Sequence, residues 1–286
     1  MFKFVAATFG YILNFIYNLV NNYGFAIIIF TILLKLVMLP ISIKQQKTLK
    51  KTKKVQVQVK EIQDKYSNDS LRMNQELVDL YKRENMSPFS GCLTSIIQFV
   101  VILSIFYLVS SPLTYMKHMD ATKIAEYSKE ILEQNENQRV NYVEIAIIKA
   151  KSAEDEDVKI NMDFFGLDLS DVPTQDYSDP KVFIIPVLYV ITSFVSMKIN
   201  KSMTDMSLGE KTKEDTKPNK NGEDEEINEE EARAQMNKSM TMMMPIMTVS
   251  IACIAPLGLA LYWLVSNLLN LLERFVLSKV LKEEEE

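Results

Sequence analysis

Four stretches of the chain carry no Lys, Arg, Asp or Glu: residues 4–34, 85–116, 182–197 and 239–272. About 20 consecutive apolar residues let a helix cross a hydrocarbon core. Charge-free stretches of this length, separated by densely charged segments, therefore predict a polytopic membrane protein of all-α class. The first stretch breaks at the polar turn Asn21-Asn22-Tyr23-Gly24. Before that turn, Lys3, Gly10, Asn14, Asn18 and Asn21 recur at helical spacing, while Phe4, Phe9, Ile12, Phe15, Ile16 and Leu19 fill the other face. This pattern predicts an amphipathic helix over 1–22 lying in the interface plane. A secretory signal peptide is the competing assignment, but no small-x-small cleavage site follows the apolar run.

Transmembrane helices are expected at 23–43, 88–111, 181–199, 239–255 and 256–278. The second has a marked start, with Ser87 as cap and Pro88 where a missing N–H costs nothing. The last charge-free stretch has 34 residues, a helix of roughly 50 Å at the usual rise. That exceeds a core of about 30 Å, so Pro256-Leu257-Gly258 is assigned as the turn of a hairpin.

Between these spans, residues 44–87 alternate apolar and charged positions as a helical hairpin would. Val55, Val59, Ile62 and Tyr66 form one face, Ser67-Asn68-Asp69-Ser70 supply the turn and cap, and Leu77, Leu80 and Tyr81 face back. The period-two run Val55-Gln56-Val57-Gln58-Val59 favours a strand locally, but no partner strand is evident. The insertion at 112–180 predicts helices near 121–135 and 140–152, then a short apolar return at Phe164-Phe165-Gly166-Leu167. Residues 200–238 are rich in Lys and Glu, a composition that buries too little apolar surface to order itself. The chain ends in an acidic tail, 279–286. Met236 to Met247 include six methionines, assigned to helix packing rather than to a metal.

Charge fixes the expected orientation. Segment 44–87 holds eleven Lys and Arg in 44 residues, whereas 112–180 holds seven in 69 together with fifteen acids. By the positive-inside rule the first is cytoplasmic and the second external. Five spans then put the N-terminus outside and the C-terminus in the cytoplasm. The formal net charge of −5 hides this asymmetry and points to no particular ligand.

The side chains exclude most catalytic chemistry. Cys92 and Cys253 lie in apolar stretches, His118 is the only histidine, and no CxxC, HExxH or glycine-rich phosphate loop occurs. No carboxylate falls in the first four spans, and no membrane histidine is present to activate a serine. Neither catalysis nor a metal or other cofactor is therefore expected. What remains is Lys35. A lysine inside a span costs on the order of 3 kcal/mol at the centre, which makes it a functional candidate, although a lysine of this kind can also snorkel to the headgroups. Polar residues recur on the other spans: Thr94 and Gln98 on the second, Tyr189, Ser193 and Ser196 on the third, and Tyr262, Ser266 and Asn270, with Asn267 beside them, on the fifth. Each stripe alone suits helix packing. Together they predict a water-accessible cavity bearing one positive charge.

A resemblance gives these residues a context. Asn22-Tyr23-Gly24-Phe25-Ala26-Ile27-Ile28, continuing through Lys35 to Leu39-Pro40, resembles the first conserved span of the YidC/Oxa family of membrane protein insertases. Pro88-Phe89-Ser90-Gly91-Cys92-Leu93 with Gln98, Phe165-Gly166-Leu167-Asp168-Leu169, Met244-Pro245-Ile246-Met247 and Pro256-Leu257-Gly258-Leu259-Ala260-Leu261-Tyr262-Trp263 follow in the family's order. The resemblance implies five core spans around a hydrophilic groove, closed outside and open to cytoplasm and lipid. It also implies a bacterial plasma-membrane protein of the Gram-positive-like form, without the large extracytoplasmic domain. Its partners would be nascent membrane proteins and the lipid bilayer, with the ribosome and the Sec translocon as further candidates and no small-molecule substrate. The family commonly has arginine where this chain has Lys35, which keeps the charge but loses the planar fork that grips two carboxylate oxygens. The long insertion around 118–158 and the acidic tail Glu283 to Glu286 depart from the family pattern, and the tail puts ribosome contact in doubt. The alternative function is a small-solute transporter, which predicts inverted repeats and broken midplane helices.

Overall fold

The computed structural model describes residues 2–67, 69–84, 90–134, 140–208 and 249–283. The protein is an all-α polytopic membrane protein. Helices α1 (Phe2–Val20), α2 (Tyr23–Lys65), α3 (Ser70–Arg83), α4 (Ser90–Ser110), α5 (Pro112–Tyr115), α6 (Ala121–Gln134), α7 (Val143–Lys151), α8 (Ile184–Leu208) and α9 (Leu257–Glu283) follow in chain order. Among the described residues, four segments are long and apolar enough to cross a membrane: Phe2–Val20, Tyr23–Thr48, Pro180–Ile199 and Leu257–Leu277. A shorter apolar segment, Ile96–Ser110, lies in α4. The cap expected at Ser87-Pro88 and most of the span expected at 239–255 lie outside the described residues. Of that span, residues 249–254 are helical.

The turn between α1 and α2 forms where the polar tetrapeptide stands. Asn21 adopts φ 49°, a conformation asparagine tolerates better than most residues. Asn22 caps α2, its side-chain oxygen accepting from the Phe25 N–H at 3.1 Å. Helix α2 then runs unbroken for 43 residues, through Pro40 and past position 43, where the apolar segment ends. Lysines 44, 47, 50 and 51 are good helix formers, so leaving the apolar layer does not stop the helix. The alternating valines at 55–59 are helical too, with Val55 buried. Asp69 caps the returning α3 by accepting from the Arg72 N–H at 3.0 Å, and Lys51 Nζ donates to the Glu84 carbonyl across the hairpin.

Helix α1 leans along α4. Ser104 Oγ donates to the Phe2 carbonyl at 3.2 Å, and the Phe2 and Phe99 rings meet edge to face at 6.5 Å. Further on, Gly10 lies against the backbone of α5, so close that a Cβ there would fall 1.7 Å from the Tyr115 carbonyl oxygen.

The insertion closes one end of the bundle. A two-stranded antiparallel hairpin pairs Asp163 with Asp168 and Phe164 with Leu167, turning through Phe165 and Gly166 at φ 55° and 77°. Asn22 Nδ2 donates to the Asp163 carbonyl at 2.6 Å, and the Tyr23 N–H to the Asn161 carbonyl at 2.9 Å. The Leu257 and Gly258 N–H groups donate to the carbonyls of Asp171 and Leu169, each at 2.9 Å. The starts of α2 and α9 are thus stitched to one loop. Buried side chains of the membrane helices gather at this end, at residues 23–31 of α2, 104–109 of α4, 182–186 into α8 and 257–264 of α9. Beyond it, most described side chains are half-buried or exposed.

Polar ties hold the insertion together. Lys123 Nζ reaches Asp155 at 2.6 Å and Asp157 at 3.0 Å, Tyr127 Oη donates to Asp155 at 3.0 Å, and Lys151 Nζ bridges Glu130 at 2.7 Å and Glu154 at 3.3 Å. The Lys123 hydrogen bond, helped by the Asp157 N–H and by Tyr127, holds the Asp155 carboxyl below the usual carboxylate range. A depressed carboxyl stabilises the fold fully above its ordinary pKa of about 3.9, and that contribution is lost as pH falls through the lower folded value. Amide exchange in α6 is accordingly expected to accelerate below about pH 4 relative to neutral pH, after correction for intrinsic exchange. Equal protection at both pH values would contradict the role of this tie.

Candidate functional site

Helices α2, α8 and α9 start at the insertion end and run in parallel. A Cβ on Gly258 would stand 3.4 Å from the Tyr23 ring, so the first turns of α2 and α9 touch. Twelve residues further along each helix, Lys35 Nζ donates to Asn270 Oδ1. At helical rise this contact lies roughly 18 Å from the closed end, within segments of α2 and α9 long and apolar enough to cross a membrane. The lysine side chain lies across the α2–α9 interface. It is 21% exposed, its Nζ 4.0 Å from Oε2 of Glu273, whose side chain is 14% exposed.

A second polar set lies one turn closer to the insertion. Asn267 Nδ2 donates to Ser193 Oγ at 3.1 Å and to Thr192 Oγ1 at 3.3 Å, joining α9 to α8. Tyr189 stacks at a tilt on Trp263 with ring centroids 5.8 Å apart. Tyr262 is buried. Tyr262 thus packs among core side chains, while Ser266 stands half-buried at the edge of the polar region.

The structure therefore brings together Lys35 with Asn270 and Asn267 with Ser193, while Tyr189 and Ser193 stand one turn apart on α8, as do Tyr262 and Ser266 on α9. Ser196 is half-buried and Gln98 exposed, and neither joins these bonds among the described residues. Thr94 lies in α4, but its side chain is outside the described residues. Two contributors escaped the sequence analysis, Glu273 and Thr192. Glu273 follows Asn270 by three positions and Ser266 by seven, one face of a helix. That spacing was readable, and the residue lies inside the fifth expected span, 256–278, but only the contact with α2 shows that it faces Lys35. No group of three or more His, Cys, Asp or Glu able to hold a metal occurs among the described residues. Helices α2, α8 and α9 are continuous through this level, without the broken helices that a transporter of inverted repeats would show.

These features define a class, a multi-pass helical membrane protein with a lysine-centred polar seam between three parallel helices. The family described as 60Kd inner membrane protein matches residues 15–284. The chain belongs to this family, the YidC/Oxa family. It is similar to a protein named membrane protein insertase YidC from Saccharophagus degradans, with 24% identity over 276 residues, 96% of this chain and 36% of the relative. Likenesses under the same name come from Rickettsia akari, 28% identical over 272 residues, and Wigglesworthia glossinidia brevipalpis, 24% over 280. These cover 94% and 98% of this chain and 38% of each relative. The chain thus spans well under half the length of the curated relatives it matches.

Proposed function

We propose that the protein is a membrane protein insertase that draws the hydrophilic segment of a nascent membrane protein into a cationic groove and releases its apolar segment to lipid. The observation that carries this reading is Lys35, twelve residues into α2, beside Asn270 and next to the polar contacts between α8 and α9. Water among these side chains shortens the dry path that a polar tail must cross, and the lysine attracts acidic residues of that tail. The substrate's apolar helix then leaves along α8 and α9, gaining ~25 cal/mol per Å² of apolar surface removed from water. No step needs a covalent intermediate, a nucleotide or a metal. The insertion lies outside the cell and the hairpin of α2 and α3 in the cytoplasm, where its basic surface recruits substrate at anionic lipid.

Crosslinking tests this reading. A photo-reactive residue placed at Ser193 or Asn267 is expected to form adducts with a ribosome-stalled single-span nascent chain, whereas one at Leu132, exposed on α6, is expected to form none. Absence of adducts from both seam positions would remove the substrate path from between α8 and α9.

A further inference from the structure

The seam is a charge pair as well as a cation, and the paired state has a consequence for substrate choice. Glu273 reaches Lys35 from the helix that also supplies Asn270, and both charged side chains are largely shielded. A carboxylate within a span is itself costly, so its place three residues after Asn270 calls for a role. The neighbouring Arg274 is exposed, which leaves Lys35 as the cation that Glu273 meets inside the bundle among the described residues.

We propose that Glu273 is an internal counter-carboxylate: it occupies Lys35 in the resting protein and must be displaced by an acidic group of the incoming segment. Asn270, which accepts a hydrogen bond from the same ammonium, keeps the lysine in place during the exchange. The pair thereby sets how acidic a tail must be to enter. A tail with a single carboxylate exchanges one ion pair for another, while a tail with several offers more than Glu273 can match. This inference rests on the insertase reading and assigns the specificity-determining residue of that site.

The test uses the full chain reconstituted in vesicles, with single-span substrates whose tails carry zero, one or three acidic residues. Removing the competing charge with Glu273→Gln is expected to raise insertion of the one-acid tail about two- to fivefold, the range one partly exposed ion pair is worth. The three-acid tail should change little. An unaltered dependence on tail acidity in Glu273→Gln, alongside a loss in Lys35→Gln, would overturn the inference while leaving the insertase reading intact. If Lys35→Gln inserts all tails normally, the reading beneath it fails as well. Should Glu273→Gln fail to fold, the charge swap Lys35→Glu with Glu273→Lys decides. Recovery of acidic-tail insertion over Lys35→Glu alone supports the pair, and no recovery overturns it.

Discussion

Replacing Lys35 by glutamate is expected to lower insertion of acidic-tailed, single-span substrates by roughly ten- to a hundredfold, the largest functional effect of any single change in this chain. The substitution removes the attracting charge and sets a second carboxylate near Glu273, now 4.0 Å from the lysine. Like charges at about 4 Å repel by about 1 kcal/mol in water and by about 4 kcal/mol at an effective dielectric of 20. The largely shielded but still accessible site lies between these limits. Lys35→Arg should retain insertion, since it keeps the charge and adds a planar fork, and Lys35→Gln should fall between. Protease protection of the inserted substrate reads all three. Equal insertion by the three variants would mean that the lysine merely snorkels and the groove charge is irrelevant.

The largest expected effect on stability comes from Gly10. Any side chain at this position would drive its Cβ to 1.7 Å from the Tyr115 carbonyl oxygen and 2.5 Å from its carbon. Both are backbone atoms with little freedom to yield, so α1 must lift from α5 or α5 must move. Gly10→Leu is expected to destabilise the protein by about 3 kcal/mol or more, at the upper end of overpacking costs. It should also expose the buried faces of Leu13, Ile16 and Tyr17. Gly166→Ala offers the contrast, because nothing lies within 4 Å of a Cβ there. Its cost reflects only the positive φ and should stay near 1–2 kcal/mol. Thermal unfolding in detergent separates the two, and a Gly10→Leu protein as stable as Gly166→Ala would contradict the α1–α5 contact.

Much of this architecture was legible because membranes impose simple rules on sequence. The Asn21-Asn22 turn and the helices of the insertion at 121–134 and 143–151 follow from turn chemistry and helical spacing, whereas the sequence offered Lys35 and the polar stripe of the last helix separately and not their pairing. Helix boundaries were less so. Hydropathy marks where a helix leaves lipid, whereas the lysines after Ser42 sustain helix as well as the apolar residues before them, so α2 runs on to Lys65. The two-residue strands at Asp163 and Leu167 are too short to show a period. Glu273 lies within the fifth expected span, 256–278, yet periodicity alone does not show which way a charge faces, and only its partner on another helix does. Tyr262 illustrates the opposite error of sorting by residue type, since its aromatic body is buried in the core although its hydroxyl made it look like a groove residue.

The central claim is that water reaches a polar seam inside the lipid layer, and thiol labelling tests it most directly. In a chain with Cys92 and Cys253 replaced, single cysteines are placed at Ser193 and Ser266 along the seam and at Leu188 and Leu268 on the exposed apolar faces. Maleimide reacts with the thiolate, which forms only where water is present. A membrane-impermeant maleimide is predicted to label the two seam positions in intact vesicles and to spare the two apolar ones. Unlabelled seam positions, or labelling of all four alike, would contradict a hydrated groove.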